Sequence, residues 1–347
     1  MSFMKSSTPS ASRRSALKLL QAGAAAALVT SVIGMWSTSA IAQSAEPVTL
    51  RLGAPVGAVP GIKTAIEEGL FAREGIKISL VTLAGGPNIL AATVGGSLEV
   101  GYADLFAWVG ALDNGFDLTM LQSANGRGNS DYLIAGPNSG IKSPKDLKGK
   151  KVGVAAHAQS KLRVALYLER FGLSAKDIQY VVMNQRDTVG AALFSGQIDA
   201  SIAADPDVAQ WEYQYKVRPL EGHPWEQIPA TTTTAGFFVT KAWVAKNPEL
   251  AVRFVRAARA GAAQYNAYSA EQKARISLKY DKVDLFKLEK EVPGVIKRMD
   301  DANAAQSGPI DIATTNRWIN IAQEHGTIKK AIDVTPLVYS TATADKL

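Results

Sequence analysis

Apolar and polar residues alternate along Val48-Thr49-Leu50-Arg51-Leu52-Gly53, the period of two that marks a strand with one buried face. Helical spacing follows over 61–73, and Gly75 stops it ahead of a second strand at 76–81. Gly85-Gly86-Pro87 is a turn that places Pro at a helix start, and that helix ends at Gly95-Gly96. A strand at 99–103, a helix at 105–114 and a strand at 118–123 complete a β-α-β-α-β series. Such a series predicts a mostly parallel sheet covered by helices.

Beyond the polar loop 125–130, the pattern gives a strand at 132–135 and a turn-rich stretch, Gly136-Pro137-Asn138-Ser139-Gly140. A first crossing between two lobes is expected at that turn. A second series then runs through strand 151–155, helix 161–171, strand 178–183, helix 187–195, strand 200–203 and helix 206–215. The β-rich stretch 231–239 is expected to carry the return crossing. After Lys241 the periodicity is helical, over 248–266, 270–280 and 311–325, and these helices are expected on the first lobe. The reading is an α/β chain with lobe 1 over 43–135 and 236–347, and lobe 2 over 136–235.

One stretch is written twice, a hundred residues apart. Ile89 answers Val189, Ala91-Ala92 answers Ala191-Ala192, Gly96 answers Gly196, and Leu98-Glu99 answers Ile198-Asp199. Both copies run on to an acid, Asp104 and Asp205. Two lobes of similar build that face each other across a cleft would produce this echo. Helix–Gly–strand units also recur in any α/β protein.

The first 42 residues are read as an export signal, not as fold. Arg13-Arg14 precede an Ala-rich apolar run at 19–36, which ends in Ala40-Ile41-Ala42, a small-residue cleavage pattern. The paired arginines suggest the twin-arginine route, although Ala16 stands where a bulky residue is usual. Removing the four basic residues of this segment takes the net charge from +7 to +3. That is too mild an excess for a nucleic-acid surface. The chain has no cysteine, which excludes disulfides, thiolate catalysis and a lipid-modified N-terminal Cys. The expected product is a soluble periplasmic monomer.

Three segments carry a resemblance to a known family. They are Glu68-Gly69-Leu70-Phe71-Ala72-Arg73-Glu74-Gly75-Ile76, the run from Gly85-Gly86-Pro87 to Gly101-Tyr102, and Ser139-Gly140-Ile141-Lys142-Ser143-Pro144-Lys145-Asp146-Leu147-Lys148-Gly149-Lys150-Lys151-Val152-Gly153-Val154. Over most of 48–250 the chain resembles the periplasmic solute-binding proteins of nitrate, taurine and aliphatic-sulfonate type ABC importers. The resemblance implies a type II periplasmic-binding fold, two Rossmann-like lobes joined by two hinge strands. It also implies solute capture by hinge closure and delivery to a permease with its ATPase.

Candidate ligand contacts fall at the strand and helix ends that would line such a cleft. In the first lobe they are Gly86, whose backbone can approach a ligand closely, Asp104, Phe106 and Arg127. In the second they are His157, Gln159 and Ser160 at a helix start, then Arg186 and Asp205. Helix N–H groups favour an anion, and an arginine can grip a carboxylate or sulfonate with two hydrogen bonds. Ser160 fits an N-cap, and Asp104 and Asp205 fit caps before Leu105 and Pro206. The acids could instead pair with the arginines or hold an amino group of a zwitterionic solute. His157 and the arginines could equally be solvated. Similar proteins carry a Gly-Ser-rich loop where this chain has Ala156-His157-Ala158, which argues against a small inorganic oxyanion. Tyr102, Trp108, Trp211 and Phe237 lie near these ends and admit an aromatic solute, or simply pack.

Enzyme signatures are thin in the sequence, with acidic pairs only on helical surfaces. Three histidines, His157, His223 and His325, lack metal-ligand spacing, and there is no nucleophile elbow, phosphate loop or dinucleotide fingerprint. The expectation is a non-catalytic binding protein for a small organic anion, sulfonate or carboxylate, without cofactor or metal. Its rivals are an enzyme on the same scaffold and a periplasmic ligand sensor.

Overall fold

The computed structural model describes residues 46–125, 131–183, 185, 188–229, 231–301 and 307–344. The export-signal reading falls on 1–42 and lies outside the described residues.

The chain runs β1 (Val48–Ala54), α1 (Pro60–Glu67), α2 (Leu70–Arg73), β2 (Ile76–Thr82), α3 (Gly86–Val94), β3 (Val100–Asp104), α4 (Leu105–Asp113) and β4 (Leu118–Asn125). It continues with β5 (Asp131–Ala135), β6 (Lys151–Val154), α5 (Ala158–Glu169), β7 (Gln179–Val182), α6 (Val189–Ser195), β8 (Ala200–Ala204), α7 (Asp207–Tyr215) and β9 (Arg218–Pro219). Then come β10 (Ala235–Thr240), α8 (Lys241–Lys246), α9 (Pro248–Ala267), α10 (Ala270–Ile276), α11 (Leu285–Glu291), α12 (Val295–Asp301), α13 (Ile312–Glu324) and α14 (Ser340–Thr343).

The strands form two five-stranded sheets of one plan, β2-β1-β3-β10-β4 and β7-β6-β8-β5-β9. In the first, β1 is parallel to β2 and β3, and β10 returns antiparallel between β3 and β4. In the second, β6 is parallel to β7 and β8, and β5 runs antiparallel between β8 and β9. The strand 131–135 thus belongs to the second sheet, so the chain has changed sheets ahead of the turn at 136–140. A short apolar strand after a polar loop reads equally well as the end of one series or the start of the next; only its pairing decides.

The hundred-residue echo is built twice at atomic level. Leu52 pairs with Val100 and Gly53 with Gly101, while Val152 pairs with Ala200 and Gly153 with Ser201. The Arg51 N–H donates to the Glu99 carboxylate at 2.7 Å, and the Lys151 N–H to the Asp199 carboxylate at 2.8 Å. Leu98 and Ile198 lie over Gly53 and Gly153, where a Cβ would meet them. The repeat breaks by one residue at its end. Asp104 is the last residue of β3 and pairs with Ala235, whereas Ala204 ends β8 and pairs with Asp131. Asp205 is one position further on, so it does not occupy the place of Asp104.

Burial explains the layers. One face of the first sheet packs Leu50, Leu52 and Val239 against α1 and α9, with Phe71 and Phe254 ring to ring at 5.6 Å. The other face packs Trp108 on Phe238 at 5.0 Å and receives α13 through Trp318. The C-terminal helices meet the expectation of a first-lobe dressing in α9 and then exceed it. Leu162 and Leu166 of α5, in the second lobe, share a cluster with Trp318 and Ile319 of α13. Ala209 of α7 shares another with Ala274, Leu285 and Val295.

Candidate functional site

Two helix starts from opposite lobes come together where the sheets end. α4 begins after β3, and Asp104 caps it: one carboxylate oxygen accepts from the Phe106 and Ala107 N–H groups, both at 3.1 Å. α5 begins after β6 and is capped by His157, whose Nδ1 accepts from the Ser160 N–H at 3.2 Å. Ala158, Leu162 and Leu166, spaced by four on α5, pack into the cluster that holds Ala107 and Phe106. The opposite side of α5, through Val164 and Leu168, fills the core of its own lobe.

Ser160 is therefore not the N-cap. It is buried, and its hydroxyl accepts instead from the Ala155 N–H at 3.2 Å, tying the loop down. His157 takes the cap because its extended backbone stands immediately before the first helical residue, and a neutral imidazole nitrogen can accept as a carboxylate does.

His157 keeps a solvent-facing surface, yet protein is packed closely around it. That burial lowers its pKa; Asp104 and Asp131 pull it back up, and Arg163 pushes it down further. These groups place a mixed-charge patch at the meeting of the lobes. Asp131 accepts from Arg163 at 2.7 Å and also from the Trp225 indole N–H, while the Arg163 guanidinium lies 4.9 Å from the centre of the Trp225 ring. Trp225 in turn packs on Trp318, which packs on Phe106. Among the described residues of this region, Gln159 Oε1, Arg163 Nε and Trp318 Nε1 are buried without a protein hydrogen bond. So are the hydroxyls of Thr232 and Thr233, close in sequence to Thr234, whose carbonyl accepts from the Leu105 N–H at 3.0 Å.

The other sequence candidates divide. Gly86 stands at the first turn of α3, but a Cβ there would lie 2.9 Å from the Cβ of Ala107. Its bareness lets α3 and α4 start side by side. The preceding Gly85, at φ 78°, caps α3 without a side chain. Phe106 is buried against Trp318 and acts as a wall. Asp205 is buried, and Pro206, not Asp205, is the residue before α7. Its carboxylate accepts from the Ala209 N–H at 3.2 Å and pairs with Arg298 at 3.1 Å; burial raises its pKa against the pull of that arginine. Arg127 and Arg186 lie outside the described residues. Sequence reasoning missed Asp131, Arg163, Trp225 and Trp318. Only Arg163 carried a signal, being four residues after Gln159 and so on the same face of α5.

The model of the family described as NMT1/THI5 like matches residues 58–271. The chain belongs to the NMT1/THI5-like family. Among the relatives of this family member, a putative binding protein of Brucella abortus is 30% identical over 228 residues, 65% of this chain and 69% of the relative. A putative aliphatic sulfonates-binding protein of Escherichia coli K12 is 30% identical over 187 residues, 53% of this chain and 58% of that one. A pyrimidine phosphate synthase of Schizosaccharomyces pombe is 25% identical over 139 residues, 40% of this chain and 38% of the synthase. In structure, this NMT1/THI5-like chain is similar to the periplasmic aliphatic sulphonate binding protein SsuA of Escherichia coli, with a TM-score of 0.69 at 22% identity. That match covers 85% of this chain and 99% of SsuA. The periplasmic-binding fold is thereby shown.

Proposed function

We propose that this chain is the exported substrate-binding protein of an ABC importer, capturing a small organic anion, a sulfonate or a carboxylate, between its lobes for delivery to a permease and its ATPase. The reading is supported by the sulfonate-binding relative and by the family's fold. The observation that carries it is the start of α5. There His157 and the unpartnered Gln159 Oε1 stand at a helix N-terminus held against the opposite lobe, with Arg163 one turn further along the same face. Such a terminus favours negative charge. Asp104 fills the corresponding place on α4 with the protein's own carboxylate, whereas α5 carries only the His157 imidazole as its cap and α3 only Gly85, with no capping side chain, so these two are taken as the anion-binding ends.

Arg127 and Arg186 stay in the proposal as clamps on that anion, from their positions two residues after β4 and three before α6. Export rests on residues 1–42, and the periplasmic setting follows from it. Isothermal titration of alkanesulfonates and carboxylates tests the reading: saturable binding that weakens at least tenfold in Arg186→Ala supports the clamp, and unchanged affinity removes it.

The synthase relative favours a second reading, an enzyme on this scaffold. The chain's lack of cysteine excludes a thiolate nucleophile from that reading. Mass-spectrometric recovery of every bound solute unaltered supports capture, while a converted solute supports the enzyme.

A further inference from the structure

The C-terminal segment 268–301 is fastened to both lobes. Its first anchor is Asp281, at the end of the helical turn Ser277–Asp281. The Asp281 carboxylate accepts from the Gly57 N–H at 2.8 Å and from the Lys63 ammonium at 2.5 Å, and the two charged side chains are only 6% and 9% exposed. Lys279 adds an ion pair to Glu67 at 2.5 Å, and the Tyr280 hydroxyl donates to the same acid. Gly57 follows β1, and a small cavity lined by Ala54, Val56, Leu80, Thr82, Tyr280 and Asp281 opens beside it.

The second anchor is Arg298 on α12. Its guanidinium pairs with Asp205 at 3.1 Å and with Glu212 at 2.5 Å. The Asp205 side chain is fully buried, and it directly follows β8. Both anchors therefore sit just past the carboxyl ends of parallel strands, the side of an open α/β sheet on which ligands bind. Between them the segment builds a cluster of its own from Ala274, Leu285 and Val295, and takes Ala209 from α7.

The anchors differ in strength. Lys63 and Asp281 are both withdrawn from water, whereas Arg298 is a third exposed. The Arg298–Glu212 arm, with Glu212 itself 26% exposed, yields at lower cost than a dry pair, and the one alanine that α7 contributes offers little apolar grip. We propose that residues 268–301 form a strap across the ligand side of the two lobes, and that its Arg298–Asp205–Glu212 anchor holds the cleft shut and lets go when the cleft opens. Arg298 is then a positioning residue for capture, and Asp205 belongs to the closing device, not to the solute contacts. This rests on the proposed capture reading for its purpose, but not for its geometry.

The test needs no solute, so its failure leaves the binding reading standing. Because the chain has no cysteine, Ser97→Cys and Lys176→Cys, at exposed sites on the first and second lobes, take spin labels at two places only. Pulsed electron-resonance distances in the solute-free full chain should be narrow in the labelled parent. They should gain a longer component in Arg298→Gln and in Asp205→Asn, with no further gain in the double variant. Glu212→Gln, which keeps the buried pair, should show a smaller gain and replaces Arg298→Gln if that variant does not fold. Parental distributions in both Asp205→Asn and Glu212→Gln overturn the strap.

Discussion

Asp104 and His157 cap, from opposite lobes, the two helices whose first turns pack into one cluster, and the Asp104 carboxylate acts electrostatically on the His157 ring. A cap and a group at the meeting of the lobes are thus the same residue on each side. Whatever titrates His157 acts at once on the start of α5 and on the meeting of the lobes.

The sign of the pH effect follows from burial. The folded pKa of His157 lies below its ordinary value of 6.5, so the unfolded chain binds the proton more readily. The contribution of the neutral cap is complete above about pH 6.5 and is lost as pH falls toward the depressed folded value. His157→Asn, which keeps an acceptor and cannot titrate, should flatten the decline in melting temperature between about pH 6.5 and 5. His157→Ala should cost roughly 0.5–1 kcal/mol at pH 8, the usual loss of a cap. Thermal melts across pH check both, and an unaltered decline in His157→Asn contradicts the assignment.

Asp205 behaves in the opposite sense. Its folded pKa is raised, so its contribution is greatest below the ordinary carboxylate range and declines as pH climbs through the raised value. At pH 7 the buried carboxylate depends on Arg298. Arg298→Gln should lose about 1–3 kcal/mol, while Asp205→Asn loses less, and the double variant should recover part of the single loss. Denaturant melts of the four proteins give the coupling; additive losses contradict the pairing.

The glycines make a graded series. A Cβ at Gly153 would meet Ile198 Cδ1 at 2.7 Å, the movable end of a side chain. At Gly261 it would meet Ala65 Cβ at 2.5 Å and Ala65 N at 2.9 Å, on the helix that α9 lies against. Backbone cannot step aside. Gly261→Ala should cost more than Gly153→Ala, roughly 2–4 against 1–2 kcal/mol, as chemical denaturation would show.

Much of the architecture was legible because strand alternation and glycine stops are local. The echo around Ile89 and Val189 led to two sheets of one plan, since matching residues meet matching environments through Glu99 and Asp199. It misled at its last residue. Asp104 and Asp205 look equivalent in sequence, but they differ by one step, and one step past a strand places a side chain differently. One acid caps α4, and the other pairs with Arg298. The equivalent of the Asp104–Ala235 pair is Ala204–Asp131, with the acid on the other strand, which no spacing along the chain could indicate. Trp225 and Trp318 reach the site through loops and C-terminal helices distant in sequence, so tertiary packing alone brings them there.

A thermal-shift series on the full chain tests the capture of an organic anion. Binding to the folded state alone must raise the melting temperature. A concentration-dependent rise is expected with at least one alkanesulfonate or small carboxylate, and a smaller rise with the same compound in His157→Asn. No rise with any of these anions, together with a clear rise from a sugar or a simple cation, would contradict anion capture.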